Sequence, residues 1–188
     1  MYPDHSLMPK EAVHLAALGI LAEGPRSYAD LAAVVRDFTS HVMGPNLDLM
    51  GTSIQMLCFE GLIAPDQDGE QDKVLTPDAM LTITEDGLAQ LKTLLLASVR
   101  TPFNDLNKLV VALKMRLFDS LDEEERQTQV ALITTALRSE LARIDQLHQK
   151  RLEEAKPADT LVRWLDHDRS QIQASLEWFE TALPSGGS

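Results

Sequence analysis

The residues able to do covalent or metal chemistry in this chain are scattered. His5, His14, His41, His148 and His167 lie far apart, and none forms the close His, Cys or carboxylate spacing that would hold zinc. Ser, His and Asp are all present, yet no nucleophile elbow, Gly-rich phosphate loop or dinucleotide fingerprint surrounds them. His167 between Asp166 and Asp168 is suggestive only on paper, because adjacent helical positions point their side chains in different directions. The pattern predicts no catalytic residue, no metal site, no cofactor and no enzyme. Recognition chemistry remains. Arg26, Arg36 and Lys73 are cations suited to phosphate, and Tyr28, Asn46, Thr52, Ser53 and Gln55 can hydrogen-bond phosphates or base edges, although a solvated surface position suits each equally. Trp164 and Trp178, the only tryptophans, offer either core packing or the walls of a pocket for a flat ligand.

Charge weighs on that recognition chemistry. The chain has 188 residues and a net charge of −12. Residues 1–99 hold 14 Asp and Glu against 5 Lys and Arg, and residues 100–188 hold 15 against 12, so most of the excess acid is in the first half. Between Asp37 and Asp72 there is no Lys or Arg at all. A phosphate backbone prefers the opposite surface. The lone Cys58, flanked by Leu57 and Phe59, excludes an intramolecular disulfide and suits a reducing compartment. Met1 to Met8 lacks the basic and apolar regions of a signal peptide, and no run approaches a membrane span, so a cytoplasmic protein is expected.

The elements that must position these residues read mostly as helices. Val13, Leu15, Ala16, Leu18, Ile20 and Leu21 predict a largely buried helix from Lys10 to Glu23, stopped by Gly24-Pro25. Ser27 caps a second helix, with Asp30 at capping-box spacing, whose apolar face is Leu31, Val34, Val35 and Phe38 and which ends near Thr39. A third lies between Asn46 and Glu60, closed by Gly61. Leu62 to Ala64 and Met80 to Ile83 are short strands around a polar run containing Asp68-Gly69, a hairpin or wing. Thr84 caps a helix carrying Leu88, Leu91, Leu94, Leu95 and Val99, ended by Pro102.

The second half is helical throughout. Leu106, Leu109, Val110, Leu113 and Leu117 mark one helix, and Ser120 with Glu123 has capping-box spacing before the next. That long helix carries Val130, Ile133, Leu137, Leu141, Ile144 and Leu147 in steps of three and four, up to Lys156-Pro157. Asp159 caps the last helix, striped by Leu161, Leu165, Ile172, Leu176, Phe179 and Leu183. The fold class is mainly α with a small β wing, an N-terminal winged helix-turn-helix plus a C-terminal long-helix dimerisation arm. The domains are 1–99, 100–183 and a frayed tail, 184–188.

Three stretches carry a family likeness: Leu18 to Pro25, Glu60 to Ile63, and Leu81 to Gly87 after the wing. Their order, followed by Leu117 to Arg126 and the closing helix from Trp164 to Leu183, resembles the PadR family of transcription regulators over roughly Lys10 to Leu183. The resemblance implies a homodimeric, DNA-binding regulator, commonly a repressor, whose helical arms exchange between subunits. Where the family has a Gly-Tyr pair opening helix two and a Thr-Leu-Tyr near helix three, this chain has Tyr28-Ala29-Asp30 and Leu49-Met50-Gly51.

Two long amphipathic helices on a small domain favour a two-fold dimer, with Ile133, Leu137, Leu141, Ile144, Leu165, Ile172, Leu176 and Phe179 at its interface. The competing arrangement folds the two helices back on each other within one chain. The partners expected are a second copy, duplex DNA and a small-molecule effector, with no membrane. A second reading gives the acidic winged helix a basic protein partner, or the role of a mimic of DNA's charge, in place of ordinary DNA binding.

Overall fold

A computed structural model describes residues 1–44, 53–66, 75–100, 105–154 and 159–183. The elements are α1 (Pro9–Ala22), β1 (Arg26–Ser27), α2 (Tyr28–Met43), α3 (Ser53–Phe59), β2 (Ile63–Pro65), β3 (Met80–Ile83), α4 (Glu85–Leu95), α5 (Asp105–Arg116), a 3-10 turn (Phe118–Ser120), α6 (Glu123–Glu154) and α7 (Thr160–Thr181). They divide into two compact units.

The first unit is a winged helix built around α1. Every residue of α1 from Ala12 to Leu21 is buried, because α2, α3, α4, α5 and β3 all pack on it. Each fully buried Leu, Ile or Val there contributes roughly 1.5–3 kcal/mol. Ser27 caps α2 as expected, its hydroxyl accepting from the Asp30 amide at 3.1 Å, but α2 runs on to Met43, past the expected stop at Thr39. Gly61 closes α3 in a Schellman motif. Its φ is +72°, its amide donates to the Cys58 carbonyl, and the Leu62 amide donates to Leu57. Thr84 then joins the ends of two helices. Its hydroxyl donates to the Gly61 carbonyl at 2.8 Å and accepts from the Gly87 amide at 3.0 Å. A Cβ at Gly87 would stand 2.0 Å from the Leu62 carbonyl oxygen, so only glycine permits this approach.

The sheet has three strands, in the order β1-β3-β2, where the sequence predicts two. β3 pairs antiparallel with β2, Ile63 opposite Ile83, and with β1, Arg26 opposite Leu81. β1 is two residues long, too short to carry an alternating signature. Leu88, assigned to the buried stripe of α4, is 46% exposed, and Val99 is buried but lies beyond the helix end at Leu95. A boundary at 99/100 would put α5 in the arm. Instead α5 packs on α1 and α2 and belongs to the first unit, because Leu109, Val110 and Leu113 bury their stripe in that core.

In the second unit α6 and α7 pack along each other over most of α7's length. Cross-helix polar contacts give the direction: the ion pairs Arg138 with Glu180, Asp145 with Arg169 and Arg151 with Asp159, and the approach of His148 to Asp166, form an antiparallel series. Asp159 caps α7 through the Leu161 amide at 2.9 Å, as its position predicts. The cap of α6 is Asp122, not Ser120. Asp122 and Glu125 exchange side-chain to backbone bonds at 2.9 and 3.1 Å, while the Ser120 hydroxyl donates back to Leu117. The third helix's expected start at Asn46, the Asp68-Gly69 turn, Pro102, Lys156-Pro157 and the tail 184–188 lie outside the described residues.

Candidate nucleic-acid interface

A winged helix offers DNA its second and third helices and its wing. Here α2 and α3 both pack on α1, and the strands of the wing, β2 and β3, follow α3 directly. Arg26 and Tyr28 come together at the entry to α2. Arg26 lies on β1, and the Tyr28 amide donates to Ala79 at 2.9 Å, which ties the start of α2 to the segment before β3. Arg36 is exposed on α2 about two turns beyond Tyr28, with no ion pair among the described residues. Ser53 opens α3 and Gln55 is exposed on it. Asn46, Thr52 and Lys73 lie outside the described residues.

The electrostatics of this surface are restrained. Arg26 is engaged by two carboxylates, Asp30 at 3.1 Å and Glu23 at 3.7 Å. Three other cations of the first unit are also occupied or withdrawn, while Arg36 is not. Arg116 grips Glu23 at 3.0 Å, Lys108 pairs with Asp105, and Lys114 is completely buried. Lys114 donates from Nζ to the Leu95 carbonyl at the end of α4, and burial lowers its pKa to about 7. It supplies nothing to a phosphate.

Sequence reasoning missed two features of this face. Glu23 and Asp30 hold Arg26, and the spacings of three and four residues carried that signal. Met56 and Phe59 stand out from α3, Phe59 at 87% exposure. Their apolar character reads as core, and only the packing of Ile54 and Leu57 onto α1 turns these two outward. His14 is buried on α1, where desolvation holds its imidazole below the ordinary value while Glu60 pulls the other way. Burial pushes the half-buried Cys58 thiol up, away from thiolate reactivity.

Five of the eight residues assigned to a dimer interface, Ile133, Leu137, Ile144, Leu165 and Phe179, are buried within the single chain. Leu141, Ile172 and Leu176 are half-buried, and Leu147 is 43% exposed. Trp164 and Trp178 are exposed and stand fourteen residues apart on α7, about 21 Å along the axis, so α7 alone does not bring them to one pocket. Trp178 packs edge-on to Phe179 at 4.9 Å. His167 is exposed and contacts Gln171, while its neighbour Asp166 approaches His148 at 2.9 Å. Among the described residues no group of three or more His, Cys, Asp or Glu could hold a metal, and no helix is long and apolar enough to cross a membrane.

Residues 2–183 match the model of a family described as "Putative AphA-like transcriptional regulator". No curated protein matches the chain. Among solved structures, Bacillus subtilis PadR in complex with operator DNA is similar, at 17% identity over 95% of this chain and 98% of that one, with a TM-score of 0.39. The same protein in complex with p-coumaric acid is similar at 16% identity over 95% and 97%, with a TM-score of 0.36.

Proposed function

The chain belongs to the AphA-like family of transcriptional regulators, and on that premise we propose that it acts as a homodimer that binds duplex DNA through unusually few cations. The observation that carries this reading is the placement of α2 and α3 on α1 with the strands of the wing directly after α3. Arg26, Tyr28 and Arg36 serve the phosphates beside α2, and Ser53 and Gln55 of α3 serve base edges or phosphates, together with Asn46, Thr52 and Lys73. With so few positive groups, affinity depends on neutral hydrogen bonds more than in an ordinary regulator.

Dimerisation is supported by what the α6–α7 hairpin leaves uncovered. Leu147, Leu152, Leu161, Trp164 and Trp178 are each at least 42% exposed, although α6 and α7 already bury their inner stripes on each other. A second copy covers that apolar surface, with Leu141, Ile172 and Leu176 at the seam. A small-molecule effector against Trp164 or Trp178 is part of the same reading and is tested by saturable quenching of tryptophan fluorescence.

The deciding experiment titrates the purified protein onto labelled duplex from its own upstream region across salt, with an unrelated duplex as control. Tight, sequence-dependent binding that weakens as salt rises supports the regulator reading. A second reading, a winged helix that has given up ordinary DNA binding for a basic protein partner or for mimicry of DNA's charge, is favoured by Met56 and Phe59 exposed on α3 beside Glu60. Absence of duplex binding even at low salt selects it.

A further inference from the structure

Four side chains at the entry to α2 form a run of alternating charge. Arg116 donates through Nε and Nη2 to the Glu23 carboxylate at 3.0–3.2 Å, and its guanidinium lies over the Phe38 ring of α2, 5.6 Å from the centroid. Glu23 in turn faces Arg26 Nη2 at 3.7 Å. Arg26 Nη1 donates to Asp30 at 3.1 Å, while its Nε is buried with no hydrogen-bond partner among the described residues. Arg26 is thus the cation nearest the start of α2, where a backbone phosphate approaches such a helix, and it is held from both sides by carboxylate.

We propose that Glu23 and Asp30 mask Arg26, so that Arg26 reaches DNA only by exchanging carboxylate for phosphate; this rests on the DNA-binding reading above. Arg116 fixes Glu23 with a fork of bonds while itself braced on Phe38, so Glu23 does not swing aside. The masking pairs are surface pairs, with side chains 33% exposed for Arg26, 41% for Glu23 and 51% for Asp30. Pairs of that kind are weak enough for a closely docked phosphate to displace. The mask therefore suppresses loose, sequence-independent attraction and yields when the helix is pressed against a cognate backbone. It sets the ratio of specific to non-specific binding.

The test measures binding of unrelated and upstream duplexes across salt for the wild-type chain and for Asp30→Asn, Glu23→Gln, Arg26→Ala and the double variants with Arg26→Ala. Asp30→Asn leaves the α2 cap in place, because that cap uses the Asp30 backbone amide. Asp37→Asn, at a more exposed carboxylate of the same helix, controls for net charge. Unmasking is expected to tighten binding to the unrelated duplex several-fold and to steepen the salt slope by about one, the contribution of one added phosphate contact. The gain disappears in the Arg26→Ala background and is larger than that of Asp37→Asn. A gain that survives Arg26→Ala, or no gain where the wild type binds, overturns the mask and leaves the DNA reading intact. If neither wild type nor variants bind any duplex at low salt, the DNA reading fails and the mask with it.

Discussion

Lys114 shows how far a residue's role depends on its surroundings. On α5 it falls at helical spacing from Val110 and Leu117, and it is completely buried and bonded to the end of α4. Its folded-state amine titrates near pH 7 and its ordinary value is 10.5, so between those limits the unfolded chain binds more protons and stability rises with pH. Below about pH 7 both states are protonated and the Lys114 contribution is constant. Lys114→Met is expected to remove this rise, so that the difference in urea midpoint between variant and wild type narrows from pH 7 to pH 10. His14 works at the other end of the scale. Its lowered pKa means that stability is lost as pH falls below 6.5 toward the folded-state value, and His14→Leu flattens that acid limb in thermal melts.

At the scale of elements, most of the chain punctuates itself locally. Ser27, Gly61, Thr84 and Asp159 act where their types and positions predict, because a cap needs only the few residues around it. Gly61→Ala forces a side chain into positive φ and is expected to cost about 1 kcal/mol in chemical denaturation. Gly87→Ala is expected to be considerably worse, since its Cβ meets backbone instead of a movable side chain. The misplaced cap of α6 is separable in the same way. Asp122→Ala should cost about 1 kcal/mol, and Ser120→Ala much less. Capping-box spacing marks Ser120, and the 3-10 turn at Phe118–Ser120 moves the cap to Asp122 by delaying the helix.

At the scale of the molecule, the proposed dimer and the hairpin make different demands on the same helices. Leu165 and Phe179 are buried within the chain, so Leu165→Ala is expected to loosen the hairpin itself, at roughly 2–5 kcal/mol, whatever the oligomeric state. Trp164 and Trp178 are exposed, so replacing both with Ser should spare the helical content and weaken self-association at least ten-fold in analytical ultracentrifugation. An unchanged sedimentation profile would remove these tryptophans from the subunit contact.

What the sequence determined by itself was whatever depends on neighbours a few residues away: the helices and most of their caps, the two strands of the wing, the scattered histidines and the acidic bias of the first half. The tertiary structure decided matters that need residues distant in sequence to meet. β1 exists only because β3 pairs with it, and α5 joins the winged helix because its stripe fits against α1 and α2. The stripes of α6 and α7 could have closed on a partner or on each other, and the antiparallel ion pairs from Arg138–Glu180 to Arg151–Asp159 belong to closure within the chain. Arg26 reads as a cation for DNA by its residue type. Its carboxylate neighbours are local, but the Arg116 fork that fixes Glu23 comes from 93 residues away, and a contact of that range leaves no period or motif to read.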